Sequence, residues 1–245
     1  MGLAGLAVAV AFLPTGESKM QKRALIVISS HAELGGTGKK TGWYLSEVSH
    51  VYYPLVAAGF AVDFASPRGG AAPMEESSRK LDDPENARFL GDAAHVARVA
   101  ETIPLAKIDS ARYALVHFAG GHGVMWDFPR DADVQRVAAG IYDGGGIVAA
   151  VCHGPAALVD VRLKDGSYLV ANKDISTFTN AEEEAVGLAK VVPFALQSAL
   201  EARGARVHAA ANWQSQVTVS GRLITGQNPQ SAKALASRLV EAAAQ

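Results

Sequence analysis

A single cysteine, Cys152, ends the unbroken apolar run Ile147-Val148-Ala149-Ala150-Val151 and is followed at once by His153-Gly154-Pro155. A thiol beside an imidazole is a minimal pair for covalent catalysis, since one group attacks and the other moves the accompanying proton. The apolar run, bounded by Gly146, reads as a strand buried on both faces, and Gly154-Pro155 with the small residues after it reads as a sharp turn into a helix. The sulfur is then expected at the carboxyl end of a central strand, beside a helix N-terminus whose unpaired N–H groups favour thiolate. This is the cysteine version of a nucleophile elbow, which pushes the reactive atom into the open. A lone cysteine is in general a small buried hydrophobe, so the flanking pattern carries the argument for chemistry.

Whatever faces this thiol must be delivered by other elements. Ala24 to Ser29 reads as an interior parallel strand ending at Ser30-His31. Trp43, Leu45, Val48, Val51 and Leu55 recur at helical spacing, with Pro54 expected to bend that helix, and Ala61 to Ser66 is the next strand. Residues 71 to 92 are polar and proline-punctuated, which predicts a surface excursion with little core of its own. Ala93 to Leu105 is amphipathic, and Ala114 to Ala119 is a strand cut off by Gly120-Gly121-His122-Gly123. A helix is expected over Asp133 to Tyr142, a short strand over Tyr168 to Ala171, and helices over Glu182 to Leu188 and Val192 to Arg203. A strand at Val207 to Ala210, a hairpin around Ser220-Gly221-Arg222 and a closing helix from Ser231 to Ala244 complete the pattern. Strands alternating with helices predict an α/β fold, a flavodoxin-like doubly wound sandwich with a mostly parallel sheet. In such a sheet the loops at His31 to Gly42, Gly120 to Trp126 and Cys152-His153 leave the carboxyl ends of strands and converge on one crevice.

The chain has 245 residues, 49% hydrophobic and 19% charged, with net charge -1. That composition is globular, and residues 20–245 are expected to form a single domain. The balance of charge offers no pull toward nucleic acid or an anionic membrane. One cysteine excludes an internal disulfide framework and fits a reducing, cytoplasmic setting. Residues 1–19 stand apart: Gly2 to Pro14 is apolar and of signal-peptide length but lacks the positive n-region, so it reads as an extension, with a signal-like segment as the alternative. The run is too short to span a membrane. The seven histidines show no zinc-ligand spacing, so no metal is expected.

Ala150-Val151-Cys152-His153-Gly154-Pro155, with Gly120-Gly121-His122-Gly123 leading to Trp126-Asp127, resembles the ThiJ/PfpI superfamily of the class I glutamine amidotransferase-like fold. Four further pieces resemble its glutathione-independent glyoxalase III branch: Lys40-Thr41-Gly42 leading to Glu47, Ala65-Ser66-Pro67-Arg68-Gly69-Gly70, Phe178-Thr179-Asn180-Ala181-Glu182-Glu183, and Thr225-Gly226-Gln227-Asn228-Pro229-Gln230-Ser231. Members of that branch are also described as heat-shock chaperones and protein deglycases. The resemblance implies a cofactor-independent lyase acting on methylglyoxal or a related small 2-oxoaldehyde and giving a D-lactate-type 2-hydroxy acid. It implies Cys152 as nucleophile, His153 as its histidine, Glu183 as the orienting carboxylate with Glu182 the next choice, and Glu47 as a carboxyl bonded to the sulfur.

Gly121 and His153 are expected to offer backbone N–H groups to an oxyanion, with Gly120 allowing close approach. His122 faces the pocket or caps the turn, and both readings stand. Tyr44, Trp126 and Trp213 are either pocket walls or core, while Glu33 and Glu75 read as solvated. Ala119 stands where the family commonly has proline, and Met74 to Ser78 lacks the usual Asp-Pro. A homodimer is common in the family, and unfolded-protein clients define the alternative of a holdase chaperone. A glutaminase or cysteine peptidase is disfavoured, because a glutaminase needs a downstream His-Xaa-Glu and His208 is followed by Ala209-Ala210.

Overall fold

The computed structural model describes residues 21–245, so the expected extension at residues 1–19 lies outside the described residues. Strand β1 (Arg23–Val27) leads to helix α1 (Leu45–Ala57), which returns to β2 (Ala61–Ser66). Helices α2 (Pro84–Gly91) and α3 (Ala93–Ala100) precede the short strand β3 (Ile103–Pro104). Then come β4 (Leu115–Phe118), the single turn α4 (Val124–Asp127), α5 (Ala132–Asp143) and β5 (Ile147–Val151). A 3₁₀ segment (Gly154–Leu158) follows, then β6 (Asp174–Ile175), α6 (Asn180–Ala185), α7 (Leu196–Ala202) and β7 (Arg206–Val207). The hairpin β8 (Val217–Ser220) and β9 (Leu223–Gly226) precedes the last helix, α8 (Ala232–Ala243).

The main sheet has the order β3-β2-β1-β4-β5-β9-β8 and is parallel except for the β8–β9 edge. Along β1 the side chains alternate between two cores: Leu25 and Val27 face the α5 side, Ala24 and Ile26 the side of α1 and α8. Period-two alternation with both faces buried is why the strand reads as an unbroken apolar run. The order reverses direction between β1 and β4, and that is where a doubly wound sheet opens its crevice. No helix among the described residues is long and apolar enough to cross a membrane.

The stretch 71 to 92 departs from expectation, because it carries core. Asp83 caps α2 by accepting from the N–H groups of Glu85 (2.9 Å) and Asn86 (3.2 Å), and Pro84 stands in its first turn. Phe89 on that helix is fully buried among Trp43, Tyr52, Phe64 and His95, with ring centroids 5.0–6.5 Å away. Two buried positions on an eight-residue helix, one of them the polar Asn86, are too few to make a visible apolar period. Phe89→Ala is expected to destabilise the protein by about 3–5 kcal/mol, read by urea unfolding. A loss under about 1 kcal/mol would mean that this excursion is not part of the cooperative core.

Other boundaries shift for local reasons. Ala93 to Leu105 divides into α3 and the edge strand β3. Of the strand expected at Tyr168 to Ala171 only Tyr168 pairs, in an isolated antiparallel bridge to Arg162, before a turn; a strand follows at β6, paired with β7 in a separate two-stranded sheet, so the strand expected at Val207 to Ala210 stops at Val207. The helix expected from Val192 begins at Leu196, since Pro193 lacks an N–H and pushes Val192 out of helical backbone. The expected helix after Cys152 is the tighter 3₁₀ segment.

Candidate active site

The turn after β5 places Cys152 at φ 60°, a left-handed conformation that costs a non-glycine residue about 1–3 kcal/mol. Backbone bonds on both sides hold it there: Cys152 N–H donates to Gly226 (3.0 Å), and its carbonyl accepts from Phe178 N–H (2.9 Å). The sulfur lies at the carboxyl end of β5 as expected but is enclosed, the residue being 3% exposed. His153 Nδ1 is 3.4 Å from Sγ, and the backbone N–H groups of Gly121 and His153, expected to face a substrate oxygen, favour the thiolate form of the sulfur. Burial pushes the thiol well above its ordinary value, and the Glu47 carboxyl pushes further in the same direction. The open, dipole-activated thiolate expected from the sequence is therefore corrected, because desolvation exceeds what two N–H groups return.

Glu47 projects from the first turn of α1 and is fully buried. Its Oε2 accepts from Gly120 N–H at 2.6 Å, Oε1 has no hydrogen-bond partner among the described residues, and the carboxyl stands beside the cysteine. Burial raises this carboxyl to about 8, against the opposing pull of the Gly120 N–H. Cys152 and Glu47 are therefore both protonated near neutral pH, a neutral thiol against a neutral carboxyl, because two negative charges in one dry site disfavour each other. Gly120 is what lets them meet: a Cβ there would lie 2.8 Å from Glu47 Oε2 and from the His153 nitrogen.

His153 is 1% exposed and bonds Glu183 Oε2 through Nε2 at 2.7 Å. With its proton held at Nε2 by that carboxylate, a neutral ring turns the Nδ1 lone pair to the sulfur. Glu182 points elsewhere. It closes a capping box with Thr179 and accepts from Trp213 N–H (3.0 Å) and Asn228 Nδ2 (2.8 Å). One residue further round the helix, Glu183 faces the histidine.

The second oxygen of Glu183 accepts from His122 Nε2 at 3.0 Å, and the two imidazole rings stand 4.2 Å apart. His122 thus faces the pocket. Burial disfavours its charge, but the carboxylates of Glu183 and Glu75 prevail and hold it at about 9. Burial and that neighbouring cation lower His153 in turn. Glu183 and Glu75, despite burial, are held at about 2 by their histidine contacts.

Glu75 is the residue that sequence reasoning missed. It is 17% exposed at the side chain and accepts from Thr41 Oγ1 (3.1 Å), Ser77 Oγ (2.9 Å) and His122 N–H (3.2 Å). Its loop is pinned by the Trp43 N–H to the Pro73 carbonyl and the Glu75 N–H to the Trp43 carbonyl, both 2.9 Å, a contact possible because Gly42 has no Cβ to strike Pro73. Glu33 pairs with Lys40 at the surface, in line with its solvated reading.

Cys152, His153, His122, Gly121 and Glu75 line a cavity of about 270 Å³ whose remaining walls include Tyr44, Ser77, Phe178, Val186, Trp213 and Gln230. Burial, with the nearby cysteine, raises the Tyr44 hydroxyl to about 12. Trp126 lines a different cavity and stacks on His31 at 5.2 Å. His208 pairs with Asp174 at 2.7 Å on the small sheet. The ligand atoms of His122, His153 and Glu183 lie within 4.8 Å of one another, a grouping that spacing along the chain does not reveal. In the structure their hydrogen bonds to one another already use them.

Comparison with known proteins gives a consistent picture. The sequence pattern of the DJ-1/PfpI family matches residues 41–242. The chain is similar to the glutathione-independent glyoxalase HSP31 of Saccharomyces cerevisiae, with 31% identity covering 90% of this chain and 98% of that protein. Its fold is similar to the crystal structure of glyoxalase III from Candida albicans, with TM-score 0.84, 27% identity and coverage of 90% and 97%. It is also similar to the rapid encystment protein of 24 kDa from Francisella tularensis, with TM-score 0.88, 37% identity and coverage of 91% and 99%.

Proposed function

This chain belongs to the DJ-1/PfpI family, and from that premise we propose that it is a glutathione-independent glyoxalase converting methylglyoxal or a related 2-oxoaldehyde into a 2-hydroxy acid. The observation that carries the reading is the line Glu183, His153, Cys152, with bonds of 2.7 Å and 3.4 Å, ending on a sulfur that stands beside the Glu47 carboxyl. The cysteine proton moves to His153 Nδ1 as the sulfur attacks the aldehyde carbon and passes on to the new oxygen, giving a hemithioacetal and leaving the ring neutral for the next step. The N–H groups of Gly121 and His153, beside the reacting sulfur, support the new oxygen.

His153 then takes the proton from the former aldehyde carbon and returns it to the neighbouring carbon through an enediol. The product of that transfer is a thioester, which water cleaves to the 2-hydroxy acid and free thiol. No electrons enter or leave, because one carbon is oxidised as its neighbour is reduced. Glu183 fixes the His153 tautomer, and the His122 cation keeps His153 neutral at rest and thus able to accept a proton. A lone nucleophilic cysteine needs a reducing, cytoplasmic setting to stay active. In keeping with the family, the chain is read as a homodimer.

Purified protein is expected to form lactate from methylglyoxal with no thiol added, measured with stereospecific lactate dehydrogenases. Absence of any 2-hydroxy acid, or a requirement for glutathione, would overturn the reading.

A further inference from the structure

We infer that Trp213 selects the substrate, favouring 2-oxoaldehydes with a neutral, flat apolar substituent such as a phenyl ring over methylglyoxal. The inference rests on the glyoxalase reading and narrows it to a substrate class.

The indole is held in place at unusual cost. Trp213 has φ 64°, one of only three non-glycine residues with positive φ among the described residues, another being Cys152. A bulky residue adopts that conformation only when its surroundings impose it. Here the imposing group is Glu182, a fully buried carboxylate with no part in the proton chemistry, which holds the Trp213 N–H at 3.0 Å while Asn228 Nδ2 holds the same oxygen at 2.8 Å. The side chain thus positioned is still 39% exposed, so core packing does not explain the arrangement.

The ring instead extends an aromatic wall. It stands 5.9 Å from Phe178, whose ring is 4.2 Å from that of His153. The wall runs from the reacting centre to solvent-exposed Trp213, and Val186, also exposed, lines the same cavity. A water occupies about 30 Å³ in the liquid, so the 270 Å³ enclosed here is far more than the five non-hydrogen atoms of methylglyoxal use. Phe178, Trp213, Val186 and Pro229 give that space apolar and aromatic surface, which rewards a flat substituent by stacking and burial. The Glu75 carboxylate, which lines the same cavity, disfavours an acidic substituent.

The test compares phenylglyoxal with methylglyoxal, both without glutathione, in wild type, Trp213→Gly and Trp213→Phe. Glycine accepts φ 64° freely, so it removes the ring without forcing the backbone, and phenylalanine keeps an aromatic wall if the glycine variant folds poorly. Wild type is expected to prefer phenylglyoxal in kcat/KM by about 10-fold, and Trp213→Gly to remove most of that preference, chiefly through KM, with Trp213→Phe retaining it. Equal losses on both aldehydes in Trp213→Gly, or a wild type with no preference, would overturn the inference and leave the glyoxalase reading intact. A wild type that turns over neither aldehyde would instead remove the reading on which the inference rests.

Discussion

Cys152→Ala is expected to bring 2-hydroxy acid formation down to background, a loss of at least about 10³-fold, because the covalent route has no second nucleophile to fall back on. The described residues contain this one cysteine, and the groups around it are acids, imidazoles and a tyrosine raised to about 12. Cys152→Ser is expected to be as inactive: a hydroxyl needs a far stronger base than Glu47 or His153 to ionise in an enclosed site. Both variants keep the left-handed turn and its backbone bonds, so circular dichroism should show an unchanged fold.

The same experiment has an intermediate readout. Mass spectrometry of wild type quenched during turnover should show added mass of the substrate on Cys152. Retention of more than about one per cent of activity by Cys152→Ala would place the chemistry on another group, since loss of a covalent nucleophile ordinarily costs several orders of magnitude.

His153→Ala is expected to lower kcat by about 10²–10⁴-fold, the usual range for losing a positioned general base. Its pH dependence carries more information than the loss. Burial and the His122 cation depress His153, and Glu183 opposes them. A base must be neutral to accept a proton, so activity in wild type is retained below the ordinary histidine value of about 6.5 and is lost as pH falls through the depressed one. The groups facing this ring are His122 from the loop after β4, Glu183 from α6, Cys152 from its own turn and, behind His122, Glu75 from the loop before α2.

In His122→Gln the neighbouring positive charge is gone and Glu183 serves His153 alone. Both changes raise His153, so the acid limb of kcat/KM moves to higher pH. A limb that stays in place or moves down would show that His122 does not carry the charge assigned to it.

Much of the architecture was legible from local pattern. The apolar runs that become β1, β4 and β5 are buried on both faces, and Gly120-Gly121 after β4 and Gly154 just past Cys152 mark where the chain leaves the sheet. From these the parallel sheet, the crevice and the placing of Cys152-His153 beside Gly120-Gly121-His122 all follow. The pairing of Glu47 with the sulfur was available only through family resemblance, because a carboxylate on an amphipathic helix ordinarily faces water.

The chain alone determined which groups are present and roughly where each strand delivers them, since burial period and turn residues act over a few positions. Tertiary structure decided what those groups are worth chemically. Glu182 and Glu183 are equivalent in sequence until the Thr179 cap sets the phase of α6, sending one to the Trp213 backbone and the other to His153. Glu75 joins the site only because a loop without periodic signal is stitched to Trp43, and Phe89 is buried by aromatic residues from three other elements. The protonation of Cys152, Glu47 and His122 was settled last, because desolvation and charge coupling depend on everything that closes over the site, and no run of neighbours along the chain contains that information.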